Sequence, residues 1–528
     1  MDITSAKRLV LTLAFTSLLW AAPAAPTQEK LGRVHFPVAC TPAGQQGFDR
    51  AVALLHSFWY KAAVKAFTAV TEADPGCAMG YWGIAMSHWY PLWAPPTPAA
   101  LQRGWAAVEK AKAIGGKTDR ERGYIAAIEA FYKDADRLDH RTRALAYEAA
   151  MERMYQRYPD DREAAVFYAL ALNATTLPTD KTYAKPLKAG EILEKIFAEQ
   201  PDHPGVAHYL IHSYDYPPLG QRGLHPARRY AKIAPSAPHA LHMPSHIFIR
   251  LGLWQENIDS NADSAAAAKA DGDLNGQLHA LDYMAYGYLQ LAQERKARGV
   301  VDVAGALVTG EGETFATAYA QAAIPARAAV EYRRWSEAAS LAVRPTRFRY
   351  PEGLSLFARA IGAARSGNVA AARAEVEKLQ ALREGLVQAK QAYWADQVEV
   401  QRRAAAGWLA RAEGKNEEAV ALLRSAADLE DSTEKHPVTP GPILPAREQL
   451  GDLLLELGHA RAALEAYEAS LRREPNRFNG MYGAARAAEL SGEAAQAKSL
   501  YASLVALGAN ADGERPELQQ AKAFLAKR

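Results

Sequence analysis

Two cysteines, Cys40 and Cys77, are all that 528 residues contain. A thiolate zinc site needs more than two, so sulfur chemistry reduces to one disulfide or two isolated thiols. A Cys40–Cys77 bridge would tie the segment before the first helical hairpin to the start of the next. Closing that loop is worth about 3–4 kcal/mol. A buried, unpaired Cys77 is the alternative. Long apolar runs are just as scarce. Beyond residues 9–20 no segment approaches the roughly 20 residues a spanning helix needs. Charge of one sign is missing too: the formal net charge is +3 and no Lys/Arg stripe follows any helix, which argues against a nucleic-acid partner. No stretch alternates β-branched residues as a strand would. The chain also lacks HExxH, a GxSxG elbow, a phosphate-binding glycine loop with lysine and a dinucleotide fingerprint.

What is present begins with a targeting signal. Lys7 and Arg8 precede the apolar run at 9–20, and Ala22-Pro23-Ala24 supplies the small residues a signal peptidase requires. Residues 1–24 are therefore expected to be a signal peptide, with cleavage after Ala25 as a variant. The mature chain is expected to be exported, periplasmic or secreted, and without a membrane span.

The rest is rich in alanine, leucine, glutamate and arginine, which favours helix throughout. Self-similarity is visible around Gly458: Leu450-Gly451, Leu454, Gly458, Ala463, Tyr467, Ser470 and Pro475 recur at the places where two helices of a 34-residue hairpin touch, turn and stop. This pattern resembles the tetratricopeptide repeat. Weaker copies surround Ala63, Phe67 and Pro75, Tyr81 to Ala85, and Gly252, Gly367, Gly414 and Gly492. A single hairpin cannot bury its apolar face, whereas stacked hairpins can, and their small rotation builds a groove. The expected fold is an all-α, right-handed superhelical solenoid of about ten to thirteen helix-turn-helix hairpins. It divides into residues 25–430, a proline-rich insert at 431–445, and C-terminal repeats at 446–528. Proline clusters at 91–98, 175–187 and 217–226 mark further interruptions. Thr118 to Glu121 reads as a capping box, and Arg120-Glu121-Arg122 as a solvated helix face.

Histidine carries the functional signal. Of 14 histidines, seven fall between His203 and His246, and His279 follows closely. His208/His212 and His242/His246 have the i, i+4 spacing that puts two rings on one helical face. Phasing the repeats on Pro201, Gly252 and Ala285 places His208, His212 and Asp215 on one concave-facing helix. The next carries His239, His242 and His246, and a third carries His279 and Asp282. A single packed histidine is ordinarily core. A convergent set needs partners or a ligand. Two imidazoles on one turn can chelate an ion, so His208, His212, His242 and His246 are candidate ligands for zinc, copper or iron. The leading expectation is a scaffold that binds a peptide, protein partner or small ligand on this His-rich groove. A metal-binding protein or metal-dependent enzyme is the alternative. Trp82, Met86, Trp89 and Tyr90, with His56 and His88, read as an aromatic ledge or as core. Asp139-His140 and Lys435-His436 read as surface pairs, the latter of interest only if the insert lids the groove.

Together the segments LLHSFWYKAAVKAF, CAMGYWGIAM, HPGVAHYLIHSYD, APHALHMPSHIF, HALDYMAYGYLQ and HPVTPGP resemble a group of exported bacterial tetratricopeptide-repeat proteins, over nearly the whole mature chain. The resemblance implies fold and, in the wider repeat family, partner binding in the groove. The carboxylate clamp of lysine and asparagine known in that family is not matched, since histidine stands at those places.

Overall fold

Residues 29–307 and 310–527 are described by the computed structural model; the expected signal peptide at 1–24 lies outside them. Among the described residues all regular structure is helical, arranged as antiparallel hairpins stacked in chain order. Local sequence explains the helix ends. Thr41 and Thr97 cap helices whose first turn holds a proline, and Thr118 with Glu121 forms a reciprocal capping box. Glu121 is not on a solvated face. It is 3% exposed and also accepts from the backbone N–H groups of Ala39 (2.6 Å) and Lys117 (2.7 Å). Of its flanking arginines Arg122 is exposed, while Arg120 lies over the Phe36 ring and pairs with Asp161 at 2.6 Å.

Alanine is the commonest residue of the inter-helix core, with larger anchors such as Phe36, Trp82, Tyr124 and Phe167 toward the N-terminus and Leu450, Tyr467 and Tyr501 toward the C-terminus. Full burial of a side chain such as Phe36 or Leu450 contributes about 1.5–3 kcal/mol. Trp82, in the helix Ala78–Ser87, and Trp89 just beyond its end are fully buried, so these members of the aromatic stripe are core. Cys40 and Cys77 form a disulfide with S–S 2.00 Å.

The solenoid curls until distant repeats meet. Gly252 has φ +64°, and a Cβ there would sit 2.5 Å from the Pro475 carbonyl oxygen, so only glycine fits both the turn and the contact. Beside it the Trp254 indole donates to the Asn476 carbonyl at 2.7 Å. Arg477 spans the same junction, reaching Glu331 (2.6 Å), Tyr286 (2.8 Å) and Glu448 (2.9 Å), all buried.

Residues 432–445 have no helix and run through the interior rather than along the surface. Glu434 donates its N–H to the Pro178 carbonyl (2.8 Å), Lys435 pairs with Asp215 (2.7 Å), and Pro442 accepts from Arg327 (2.6 Å). Lys435 and His436 are thus not surface residues. The lysine side chain is 7% exposed, and the imidazole packs against Trp394 at 4.9 Å. The reason is pairing: Asp215 draws the ammonium inward, and an aromatic pocket takes the ring.

Candidate metal centre

The histidines meet where the helix Pro204–Tyr214, the helices Pro238–His242 and Pro244–Arg250, and the helix Leu274–Gln290 come together. Gly205 allows the first to press on His56, since a Cβ would lie 2.5 Å from that ring's Nδ1. Met243-Pro244 splits the second element into two short helices. The i, i+4 ring pairing survives the break.

Two trios result. His208, His212 and His239 bring one ring nitrogen each within 4.8 Å of one another, and so do His242, His246 and His279. The four-histidine set His208, His212, His242 and His246 is therefore divided between two clusters, each completed by one of the remaining two rings. The trios are neighbours: ring centroids of His212 and His246 stand 5.8 Å apart, and those of His239 and His242 stand 5.9 Å apart. Within each i, i+4 pair the Nε2 atoms face each other at 3.1 Å.

What lies behind the rings decides their chemistry. His208 Nδ1 donates to the His56 carbonyl at 2.6 Å, which leaves Nε2 bare in the neutral ring. His242 Nδ1 donates at 2.6 Å to Asn261 Oδ1, whose amide nitrogen is already committed to Asn257. His246 Nδ1 donates at 2.9 Å to Asp215 Oδ2. His242 and His246 therefore both turn an unprotonated Nε2 toward the other. Two lone pairs at 3.1 Å repel, and neither ring can move its proton without breaking the bond that orients it. Such acceptors behind ligand imidazoles are a regular feature of metal sites.

Burial holds these rings neutral. It pushes His208 and His279 down to about 3, and with help from neighbouring histidines takes His212, His239 and His242 well below the usual range. His246 is also lowered by burial, against the pull of Asp215.

Asp215 stands behind the centre and is not part of either trio. Burial opposes its charge, but Lys435 and Arg250 outweigh that and hold the carboxyl well below the usual range. Asp282, one turn after His279, points elsewhere. Its nearest cation is Arg327 at 3.9 Å, both its oxygens lack a hydrogen bond, and burial raises it to about 6. Two further clusters have ligand-like composition, and both are already satisfied. Glu163 bridges His56 (2.9 Å) and His203 (2.8 Å), with Tyr209 and the Val206 N–H using the remaining ring nitrogens. Asp74 lies beside the disulfide and accepts from the Thr41 N–H.

The supporting residues Asn261 and Arg250 carried no sequence motif. Arg250 alone left a trace, four residues after His246 on the same helical face.

Residues 444–477 match the family model described as "Tetratricopeptide repeat". The chain is thus an all-α helical-repeat protein carrying at least one such repeat, with a buried cluster of histidines at its centre. Similar solved structures include the APC/C hetero-tetramer Cut9-Hcn1 (12% identity, 92% of this chain and 96% of that chain, TM-score 0.27). The human IFIT1 dimer with m7Gppp-AAAA (11%, 82% and 90%, TM-score 0.37) is another, as is the IFIT1 monomeric mutant with Gppp-AAAA (10%, 89% and 98%, TM-score 0.37). At these values nothing about ligands transfers. No curated protein matches the chain in sequence.

Proposed function

We propose that the protein is a metalloprotein whose two histidine trios, His208/His212/His239 and His242/His246/His279, each bind one transition-metal ion. One observation carries the reading: His242 and His246 face each other with unprotonated Nε2 atoms 3.1 Å apart while Asn261 and Asp215 fix their protons on Nδ1. Among the described residues the one other donor at this pair is the Tyr283 hydroxyl, 3.4 Å from His246 Nε2. A shared cation turns that repulsion into two bonds. At a metal–nitrogen distance of about 2.1 Å, the separation subtends about 95° at the ion, an ordinary chelate angle. An imidazolium in place of the ion would add a third positive charge beside Asp215, which already holds Lys435 and Arg250.

The helical-repeat scaffold also offers outer surface to a peptide, protein or small-ligand partner. The histidine-lined face is the less accessible choice for a peptide, because residues 432–445 of the chain itself run beside it. The reading extends to location: an exported protein, supported by Lys7, Arg8, the apolar run and the Cys40–Cys77 bridge.

Elemental analysis of the tag-free protein beside a His208→Ala/His242→Ala variant tests the proposal. Close to two equivalents of zinc, copper or iron are expected, lost in the variant. Absence of bound metal after incubation with each ion would reject it.

A further inference from the structure

The ligand set itself restricts the metal. Among the described residues both trios are all imidazole, with no carboxylate and no thiolate in either. Asp215, the nearest carboxylate, is committed to His246, Arg250 and Lys435. Two divalent ions would bring four positive charges into a buried space that already faces Lys435 and Arg250, with that one carboxylate to offset them. Two monovalent ions halve the load. Among first-row metals, copper combines a stable monovalent state with a good match to imidazole. The absence of cysteine from both trios separates them from thiolate copper sites that carry single electrons. Two adjacent monovalent coppers can instead give up two electrons together, and dioxygen is a small apolar molecule that accepts electrons in pairs.

A second, independent observation concerns access. Five of the six histidines are buried; His239 alone is partly exposed as a residue, although its unpartnered Nε2 is itself buried. Aromatic rings gather at this edge. Trp93 lies 5.4 Å from His239 and 6.1 Å from His279, so it touches one ring of each trio. Phe58 stacks on His239 at 5.7 Å with planes 18° apart, and Tyr60 stacks on Phe58 at 5.2 Å. Tyr90 closes the group edge-on to Tyr60 at 4.8 Å. Trp93 sits in the proline-rich segment 91–98, outside any helix and half-exposed. The partly exposed edge of the first trio is therefore lined by flat rings, a surface on which a planar aromatic molecule can stack.

We infer that the two trios hold a pair of copper ions that react with dioxygen, and that the Trp93 edge admits an o-diphenol as the electron donor. The inference rests on the metal reading above. The balance is complete with dioxygen as oxidant. Two copper(I) ions pass two electrons to dioxygen, reducing it to the peroxide level, and the two negative charges of the peroxide offset the two positive charges the coppers gain. An o-diphenol then gives two electrons and its two hydroxyl protons and leaves as the o-quinone. A second diphenol supplies the remaining two electrons and two protons. The O–O bond breaks, two waters form, and both coppers return to the monovalent state.

The test uses the full mature chain, stripped with chelator and reloaded without oxygen using copper(I), with a zinc-loaded sample as control. Two coppers per chain are expected, with one dioxygen taken up per pair. A new absorption band should appear with oxygen and bleach on its removal, and the zinc sample should show neither. With catechol in air, half a mole of dioxygen should be consumed per mole of quinone formed. Trp93→Ala should keep its copper and raise KM for catechol at least several-fold. Two bound coppers without oxygen uptake would overturn the inference and leave the metal reading standing. So would a chain that holds zinc and refuses copper. A chain that holds no metal overturns both. An unchanged KM in the copper-loaded Trp93→Ala variant would overturn the assignment of the entrance.

Discussion

Replacing Arg477 with methionine should cost about 3–5 kcal/mol of stability at pH 8, the range for stripping one partner from a buried ion pair. The arginine side chain is fully buried and makes four hydrogen bonds, two to Glu448 (2.9 and 3.1 Å), one to Glu331 (2.6 Å) and one to the Tyr286 hydroxyl (2.8 Å). The two carboxylates do not suffer equally. Glu331 keeps the Asn479 amide at 3.0 Å and Gln290 at 3.2 Å. Glu448 keeps nothing and lies in a site where burial already raises it. In the variant its folded-state proton affinity exceeds the unfolded value. The cost is therefore small below the unfolded pKa and grows as pH rises through the folded one. Urea unfolding followed by fluorescence and far-ultraviolet circular dichroism, at pH 5 and pH 8, measures this. The deficit should be larger at pH 8, and a second change, Glu448→Gln, should recover more than about 1 kcal/mol of it by removing the stranded charge. A single variant within about 1 kcal/mol of the parent at pH 8 would refute the view that this buried triad holds the C-terminal repeats against the middle of the solenoid. So would the absence of rescue.

Asp282→Asn should stabilise the chain at high pH. Burial raises this carboxyl from 3.8 to about 6, so the fold favours the proton-bound form, and the penalty for ionising it appears as pH rises through about 6. The variant should exceed the parent by up to about 3 kcal/mol at pH 8 and match it at pH 4, read from urea midpoints. Cys40→Ser/Cys77→Ser should lose about 4 kcal/mol, from a loop with a sequence separation of 37; a loss under about 1 kcal/mol would show that the bridge does not restrain the unfolded chain. Lys435→Met should cost about 1.5–3 kcal/mol through the lost bond to Asp215. Hydrogen exchange should quicken at residues 434–439 and stay unchanged at 450–470, and uniform exchange would mean the lysine does not anchor the insert.

Local rules were enough for the helices, their caps and the repeat. Thr118 with Glu121, Gly252 at its turn, and the spacing around Gly458 act within one or two helical turns, where sequence neighbours are also spatial neighbours. The i, i+4 histidine pairs belong to the same class, and their rings meet at 3.1 Å even across the Met243-Pro244 break. What lay beyond reach was everything set by contact between distant repeats. The grouping into two trios depends on how far three helices rotate and slide against one another, and phasing alone could not show that His208/His212 and His242/His246 each take a third ring, His239 and His279. The inward path of residues 432–445 follows from Asp215, 220 positions away from Lys435, which no local pattern encodes. Asn261 and the His56 carbonyl, which fix the protons on His242 and His208, are ordinary groups with no motif. Sequence by itself determined the units and which side chains shared a face. The tertiary structure decided which faces met and which groups stood behind them, because hydrogen-bond partners and burial are properties of the closed packing and not of any one helix.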